Sequence, residues 1–201
     1  MPSREAPADA ADADLVARAA AGDREAFAGL YSRHQAAMYR FAFQMSGSAA
    51  AAEDIVHDVF VALMRNLARF DATRPLSPYL YGIARNVTRR RLRRERRLIA
   101  LDESVGYAQR TGRDELSEQL EQRDHLRLLR QAIVALSPKH REVIVLCDLH
   151  KLSYERAAAS IGCALGTVRS RLHRARALLA KQMKRARAPV ERLSRTVGCA
   201  V

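Results

Sequence analysis

Between Gly166 and Leu179 the chain reads GTVRSRLHRARALL, with arginine at positions 169, 171, 174 and 176. Arginine is the side chain suited to polyanions. Its planar fork donates two hydrogen bonds to guanine O6 and N7, worth ~1–3 kcal/mol of base discrimination, or grips a phosphate. Coiled as a helix, this stretch puts Val168, Leu172, Ala175 and Leu179 on one apolar stripe, with Ser170, His173 and Ala177 opposite. Arg169 and Arg174 flank that outer face, while Arg171 and Arg176 lie nearer the apolar edge. No acid stands four residues from any of these arginines, so they do not pair along the helix as a solubilising face does. A solvated basic helix would share the pattern, and the surrounding elements have to decide.

Those elements supply a docking frame. Ser153 is placed to cap SYERAAASIG, Gly162 ends that helix, and the basic helix begins three or four residues later. This is helix-turn-helix spacing, in which the second helix enters the major groove. Arg169, Ser170, His173 and Arg174 then face base edges. Thr167, beside the free N–H groups of the helix start, meets a phosphate, as do Arg171 and Arg176 with their stems on the apolar edge.

A second basic element is IARNVTRRRLRRERR, where eight arginines from Arg85 to Arg97 stand against the single acid Glu95. The preceding loop, RFDATRPLSPYLY, sets Phe70, Tyr79 and Tyr81 beside it. Aromatics along a cationic groove are what single-stranded nucleic acid stacks on. A base drawn out of a duplex also needs hydrogen-bonding walls, which Asp71, Thr73, Arg74 and Ser77 can provide. The competing readings are a solvated arginine-rich helix end and plain core positions for Tyr79 and Tyr81. In EDIVHDVFVALMRNLARF the apolar stripe is Val56, Val59, Phe60, Leu63 and Leu67. Asp54, Asp58 and Arg65 project away from it, with His57 on the flank. An acidic face on a basic protein suits a protein partner or open solvent, not nucleic acid.

The whole chain has 201 residues and a formal net charge of +13, which favours a nucleic-acid or other anionic partner. No apolar run approaches the ~18–20 residues of a membrane span. The N-terminal MPSREAPADAADAD lacks the apolar segment of a signal peptide, so a cytoplasmic protein is expected. Cys147, Cys163 and Cys199 show no metal or disulfide spacing; the first two read as small packed residues. There is no glycine-rich phosphate loop, HExxH or nucleophile elbow, so neither catalysis nor a cofactor or metal is expected.

Periodicity makes the chain all-α: two small helical domains joined by a flexible linker, the second carrying the helix-turn-helix. Residues 1–13, rich in Ala, Asp and Pro, are expected to be a disordered tail. The first domain spans 14–97, with Phe27, Leu30, Tyr31, His34, Met38 and Phe41 on one stripe and His34 as a core or boundary residue. The linker spans 98–113. The second domain spans 114–184, with Leu126, Leu129, Ile133 and Leu136 on a stripe and Ser137–Pro138 starting the next helix. A flexible basic tail, 185–201, follows.

Taken in order, AAEDIVHDVFVALMRNLARF, YLYGIARN and LSPKHREVIVLCDLHKLSYERAAASIGCALGTVRSRLHRARALL resemble the extracytoplasmic-function (ECF) sigma factors of bacteria. The resemblance covers about 14–97 and 118–184. It implies a chain without catalytic activity that binds core RNA polymerase and directs it to promoters. Residues 14–97 become sigma region 2, which reads and melts the −10 element as single strand; 114–184 become region 4, which reads the −35 duplex. Asp54, His57, Asp58 and Arg65 are then contacts to core polymerase. The 71–77 loop, with Tyr79, captures a flipped base, and Arg85, Asn86, Arg89 and Arg90 lie along the −10 DNA. Thr167, Arg169, Ser170, Arg171, His173, Arg174 and Arg176 serve the −35 element. An anti-sigma factor is the implied second partner. Tyr79 stands where the family usually has Trp, and His57 where it has Gln. YERAA in place of YAEIA puts Arg156 and Ala157 at the usual Glu and Ile positions, so thinner packing of that helix is expected. Two other classes fit less: a dimeric helix-turn-helix repressor needs no acidic protein-facing helix, and an RNA-binding adaptor lacks a recognised RNA fold.

Overall fold

The computed structural model describes residues 6–101 and 120–197, and among them every regular element is helical. The N-terminal half holds α1 (Ala6–Ala20), α2 (Arg24–Ser46), α3 (Ala49–Asn66) and α4 (Leu76–Leu101). The C-terminal half holds α5 (Leu120–Ala135), α6 (Pro138–Val143, continued as a π-helical stretch Ile144–Leu149), α7 (Tyr154–Ile161) and α8 (Leu165–Val197).

The chain marks these boundaries chemically. Asp23 caps α2, its carboxylate accepting the Glu25 and Ala26 N–H groups at 2.9 and 3.1 Å. Gly47 ends that helix in the left-handed conformation at φ 77°, and the next residue, Ser48, caps α3 through the Ala51 N–H. Leu30, Met38, Phe41, Ile55, Leu63 and Leu80 close the centre of the N-terminal half, each at most 1% exposed. Burying a side chain of this size stabilises by about 1.5–3 kcal/mol. In the C-terminal half the stripe of α8 is buried at Val168, Leu172 and Ala175.

Several boundaries differ from those expected. α1 starts at Ala6 rather than 14, and Asp12, expected in a disordered tail, is 3% exposed. Its carboxylate accepts from Arg33 Nη1 at 2.6 Å and pairs with His34 Nε2 at 2.8 Å, which draws α1 onto α2. Burial works to raise the Asp12 carboxyl, but the bonds from His34 and Arg33 outweigh it and hold it below the usual range. α4 continues to Leu101, past the expected end at 97, and the rest of the linker lies outside the described residues. α8 runs across the expected boundary at 185 to Val197; Cys199 also lies outside the described residues. Leu126, expected on the core stripe of α5, is 52% exposed.

The two helical halves follow the expected all-α, two-domain organisation, and they also pack on each other. α4 packs on α7, the end of α2 packs on α5, and one continuous apolar core runs through both. Gly82 makes the close approach possible: a Cβ there would stand 3.3 Å from the Ser160 carbonyl oxygen of α7. Ala157, expected to thin the packing of α7, is fully buried at 0% exposure.

Candidate nucleic-acid interface

α7, the turn after it and α8 form the helix-turn-helix. Ser153 caps α7 by accepting the Arg156 N–H at 3.2 Å, and Gly162 ends it at φ 70°, donating to the Ala158 carbonyl. Burial of Val168, Leu172 and Ala175 fixes the rotation of α8. Arg169, Ser170, His173 and Arg174 therefore face solvent together, as the spacing predicts, with Thr167 and Arg171 half-exposed beside them. His140 of α6 joins this patch. Its pKa is lowered by burial, then by the neighbouring charges of Lys139, Arg174 and Arg171, so protonation is disfavoured there.

Arg176 does not belong to that face. Asp148, from the π-helical stretch, holds it in a two-pronged ion pair, Nε to Oδ2 at 3.0 Å and Nη2 to Oδ1 at 2.5 Å. The pairing partner is 28 residues away in sequence, so local spacing gave no sign of it. The expected phosphate contact of Arg176 would thus be made by a side chain that is already paired but still 55% exposed.

The 70–75 loop is built around Asp71. Its carboxylate accepts the Thr73 N–H at 3.0 Å and the Thr73 hydroxyl at 2.6 Å, and Arg74 Nε lies 3.5 Å away. Those bonds, the hydroxyl's first, hold the Asp71 carboxyl below its usual range. Phe70 and Tyr79 meet with ring centroids 4.7 Å apart and close the neck of the loop; Ser77 is half-buried on the first turn of α4. Tyr81, by contrast, is a core residue, 4% exposed. Its hydroxyl donates to His150 Nδ1 at 2.8 Å, and burial raises its pKa to about 12.

Further along α4, Asn86 and Arg90 are exposed. Arg85 and Arg89 instead turn to Glu142 of α6, their Nε atoms 3.1 and 3.9 Å from its carboxylate oxygens. On α3, His57, Asp58 and Arg65 are exposed as expected, whereas Asp54 pairs with Arg91 of α4 at 2.7 Å. His57 also borders an apolar groove of about 680 Å³ between α2 and α3, lined by Phe27, Tyr31, Tyr39, Val56 and Phe60. No helix among the described residues is long and apolar enough to cross a membrane.

Comparison with known proteins gives the family of the chain. Residues 30–98 match the family model of sigma-70 region 2, and residues 126–179 that of sigma-70 region 4. The ECF RNA polymerase sigma factor SigW of Bacillus subtilis is 32% identical over 171 residues, covering 81% of this chain and 91% of the relative. The chain belongs to the ECF RNA polymerase sigma factors.

Another relative, the sigma factor CnrH of Cupriavidus metallidurans, is 35% identical over 176 residues, covering 84% of this chain and 92% of that one. Among solved structures, CnrH in complex with the cytosolic domain of CnrY aligns with a TM-score of 0.66 at 30% identity, over 87% of this chain and 97% of that one. The sigma factor RpoE in complex with the anti-sigma factor NepR, from Bartonella quintana, aligns at 0.67 and 29% identity, over 79% and 96%. On this ECF sigma factor, region 2 takes in α2 to α4 and region 4 takes in α5 to the first half of α8. The side chains that sequence reading missed lie mostly in and beside their contact: Gln44, Glu142, His150 and Asp148. The signal was available in HREVIVLCDLH, where Arg141 and Glu142 stand directly against the apolar run Val143–Cys147 and, once buried with it, need partners that the run itself does not hold.

Proposed function

We propose that this ECF sigma factor binds core RNA polymerase and, as part of the holoenzyme, reads the −35 element with α8 and the −10 element with the 70–75 loop and α4. The observation that carries it is the exposed quartet Arg169, Ser170, His173 and Arg174, held on one face of the second helix of a helix-turn-helix. Thr167 and Arg171 position the duplex through phosphates, and the quartet reads base edges. At the −10 element, strand-separated DNA needs a stacking surface and a pocket. Phe70 and Tyr79 supply the surface, and Asp71, Thr73, Arg74 and Ser77 supply polar walls; Asn86, Arg89, Arg90 and Arg85 track the backbone.

The polymerase docks on α3 through His57, Asp58 and Arg65, where the apolar groove gives a neighbouring hydrophobic surface. Asp54 contributes only if it leaves Arg91. The chain has no chemistry of its own, acts in the cytoplasm, and is bound and restrained by an anti-sigma factor, a reading supported by the solved complex of the sigma factor RpoE with the anti-sigma factor NepR.

Run-off transcription with purified core polymerase on a pool of genomic promoters tests this reading. Specific transcripts from the intact chain are expected, abolished by Arg169→Ala/Arg174→Ala and by Asp58→Arg. Transcripts that persist with Asp58→Arg would remove the docking assignment alone. Absence of any transcript, with tight specific binding of duplex DNA by the chain alone, would replace the reading with that of a repressor.

A further inference from the structure

The seam between regions 2 and 4 carries more polar chemistry than a passive contact needs. From region 2 come Gln44, Tyr81, Arg85 and Arg89; from region 4 come Arg141, Glu142 and His150. Arg141, 7% exposed, donates to the Met45 carbonyl in the last turn of α2, and to the Val134 and Leu136 carbonyls beside it. A cation there also suits the negative end of the α2 dipole. His150 bridges the two regions: Nε2–H donates to Gln44 Oε1 at 2.9 Å, which leaves Nδ1 to accept the Tyr81 hydroxyl at 2.8 Å.

Glu142 is the telling residue. It is 2% exposed, and the guanidinium groups of Arg85 and Arg89 on α4 lie 3.1 and 3.9 Å from its carboxylate oxygens. Arg85 Nε and Glu142 Oε1 nonetheless have no hydrogen-bond partner. The charges face each other without the geometry that fully satisfies either. An ion pair taken out of water on those terms holds weakly, because desolvation offsets much of its attraction. The contact is thus one that another anion can displace.

We infer that regions 2 and 4 of the free chain form a closed state in which Glu142 occupies the place of a DNA phosphate against Arg85 and Arg89. The inference rests on the proposed reading that α4 follows the −10 strand. A carboxylate and a phosphate offer these arginines the same bidentate acceptor edge, so DNA and Glu142 exclude each other. The recognition face of α8 stays open in this state, while the α4 side chains nearest the seam are withheld. Promoter opening then requires the regions to part, and the chain on its own is a poor binder of single-stranded DNA.

Gly82 provides the test. It sits on α4 against Ser160, and no other atom outside its own helix and chain neighbours lies within 4 Å of its Cβ position. Gly82→Leu therefore wedges the seam while raising the helix propensity of α4. Glu142→Gln, nearly isosteric, is the second variant. In the full chain, small-angle X-ray scattering should give a larger radius of gyration for both variants than for the parent. Affinity for single-stranded oligo(dT), measured by fluorescence anisotropy, should rise roughly tenfold, the gain expected when a competent state grows from about a tenth of the population to most of it. Arg85→Ala in the Gly82→Leu background should cancel that gain.

An unchanged radius in both variants would overturn the closed state. An opened chain with no gain in affinity would overturn the masking role. The two causes of that second outcome separate by assaying Arg85→Ala/Arg89→Ala in the holoenzyme. Loss of transcription leaves the −10 reading standing and the masking wrong; unaltered transcription means the −10 reading of α4 has itself failed.

Discussion

Arg85 of α4 and Glu142 of α6 face each other at 3.1 Å across the contact between regions 2 and 4, with the Glu142 side chain 3% and the Arg85 side chain 15% exposed. Breaking such a pair from one side strands the other charge, at a cost of about 3 kcal/mol, whereas removing both is far milder. Arg85→Ala should therefore destabilise the chain more than Arg85→Ala/Glu142→Ala does. Urea denaturation of the parent, Arg85→Ala, Glu142→Ala and the double variant measures the coupling. A loss in the double variant equal to the sum of the two single losses would mean the two charges do not interact.

His150 makes the same contact sensitive to acid. Burial first, then the nearby charge of Arg40, pushes its pKa down to about 4 from the ordinary 6.5, with Gln44 and Tyr81 on its two nitrogens. A depressed histidine contributes stability that is fully present above pH 6.5 and is lost as the pH falls towards 4, a loss of about 3 kcal/mol over that window. Thermal melts at stepped pH should show the decline, and His150→Gln should flatten it within the window. A variant that keeps the same slope would assign the acid sensitivity to other groups.

The helices and the exposed basic face of α8 were legible because both rest on local rules. The caps Ser48 and Ser153, the stops Gly47 and Gly162, and the stripe Val168–Leu172–Ala175 are each set by residues within a few positions of one another. What escaped is what depends on distant partners. Asp12 reads as part of a polar tail until Arg33 and His34 are brought to it. Tyr81 reads equally as a stacking aromatic or a core position until His150, 69 residues on, takes up its hydroxyl. Arg176 reads as a free cation for the same reason. The contact between the two regions left only indirect marks, a glycine inside α4 and two charges at the head of an apolar run, whose meaning depends on the element that packs against them.

Arg174 and Arg176 should separate cleanly in function. Arg174 is exposed on the recognition face, whereas Arg176 is committed to Asp148, a pairing that raises its pKa. Arg174→Ala should weaken holoenzyme binding to a −35 duplex by ~1–3 kcal/mol and relax base preference at one position. Arg176→Ala should leave base preference alone and shift stability by less than about 1 kcal/mol, as expected for a solvent-screened pair. Competition binding with single-base variants of the duplex distinguishes the two. An equal loss of preference in both would return Arg176 to the DNA-facing set.

Lys151 bears local strain. At φ 58° it is the one non-glycine residue with positive φ among those described, in the short link between the π-helical stretch and α7. The link cannot relax easily, because the next residue, Leu152, is buried and its N–H donates to the Leu146 carbonyl at 3.0 Å. An L side chain in this region is disfavoured by about 1–2 kcal/mol, and glycine is not. Glycine also adds freedom to the unfolded chain, which offsets part of the relief. Lys151→Gly should still stabilise by up to about 1 kcal/mol, and Lys151→Val, branched at Cβ, should destabilise. Denaturation midpoints for the parent and both variants check the order. Midpoints that coincide would mean the link adopts another backbone conformation at little cost, and His150, one residue earlier, would then not be held against Tyr81 by the turn.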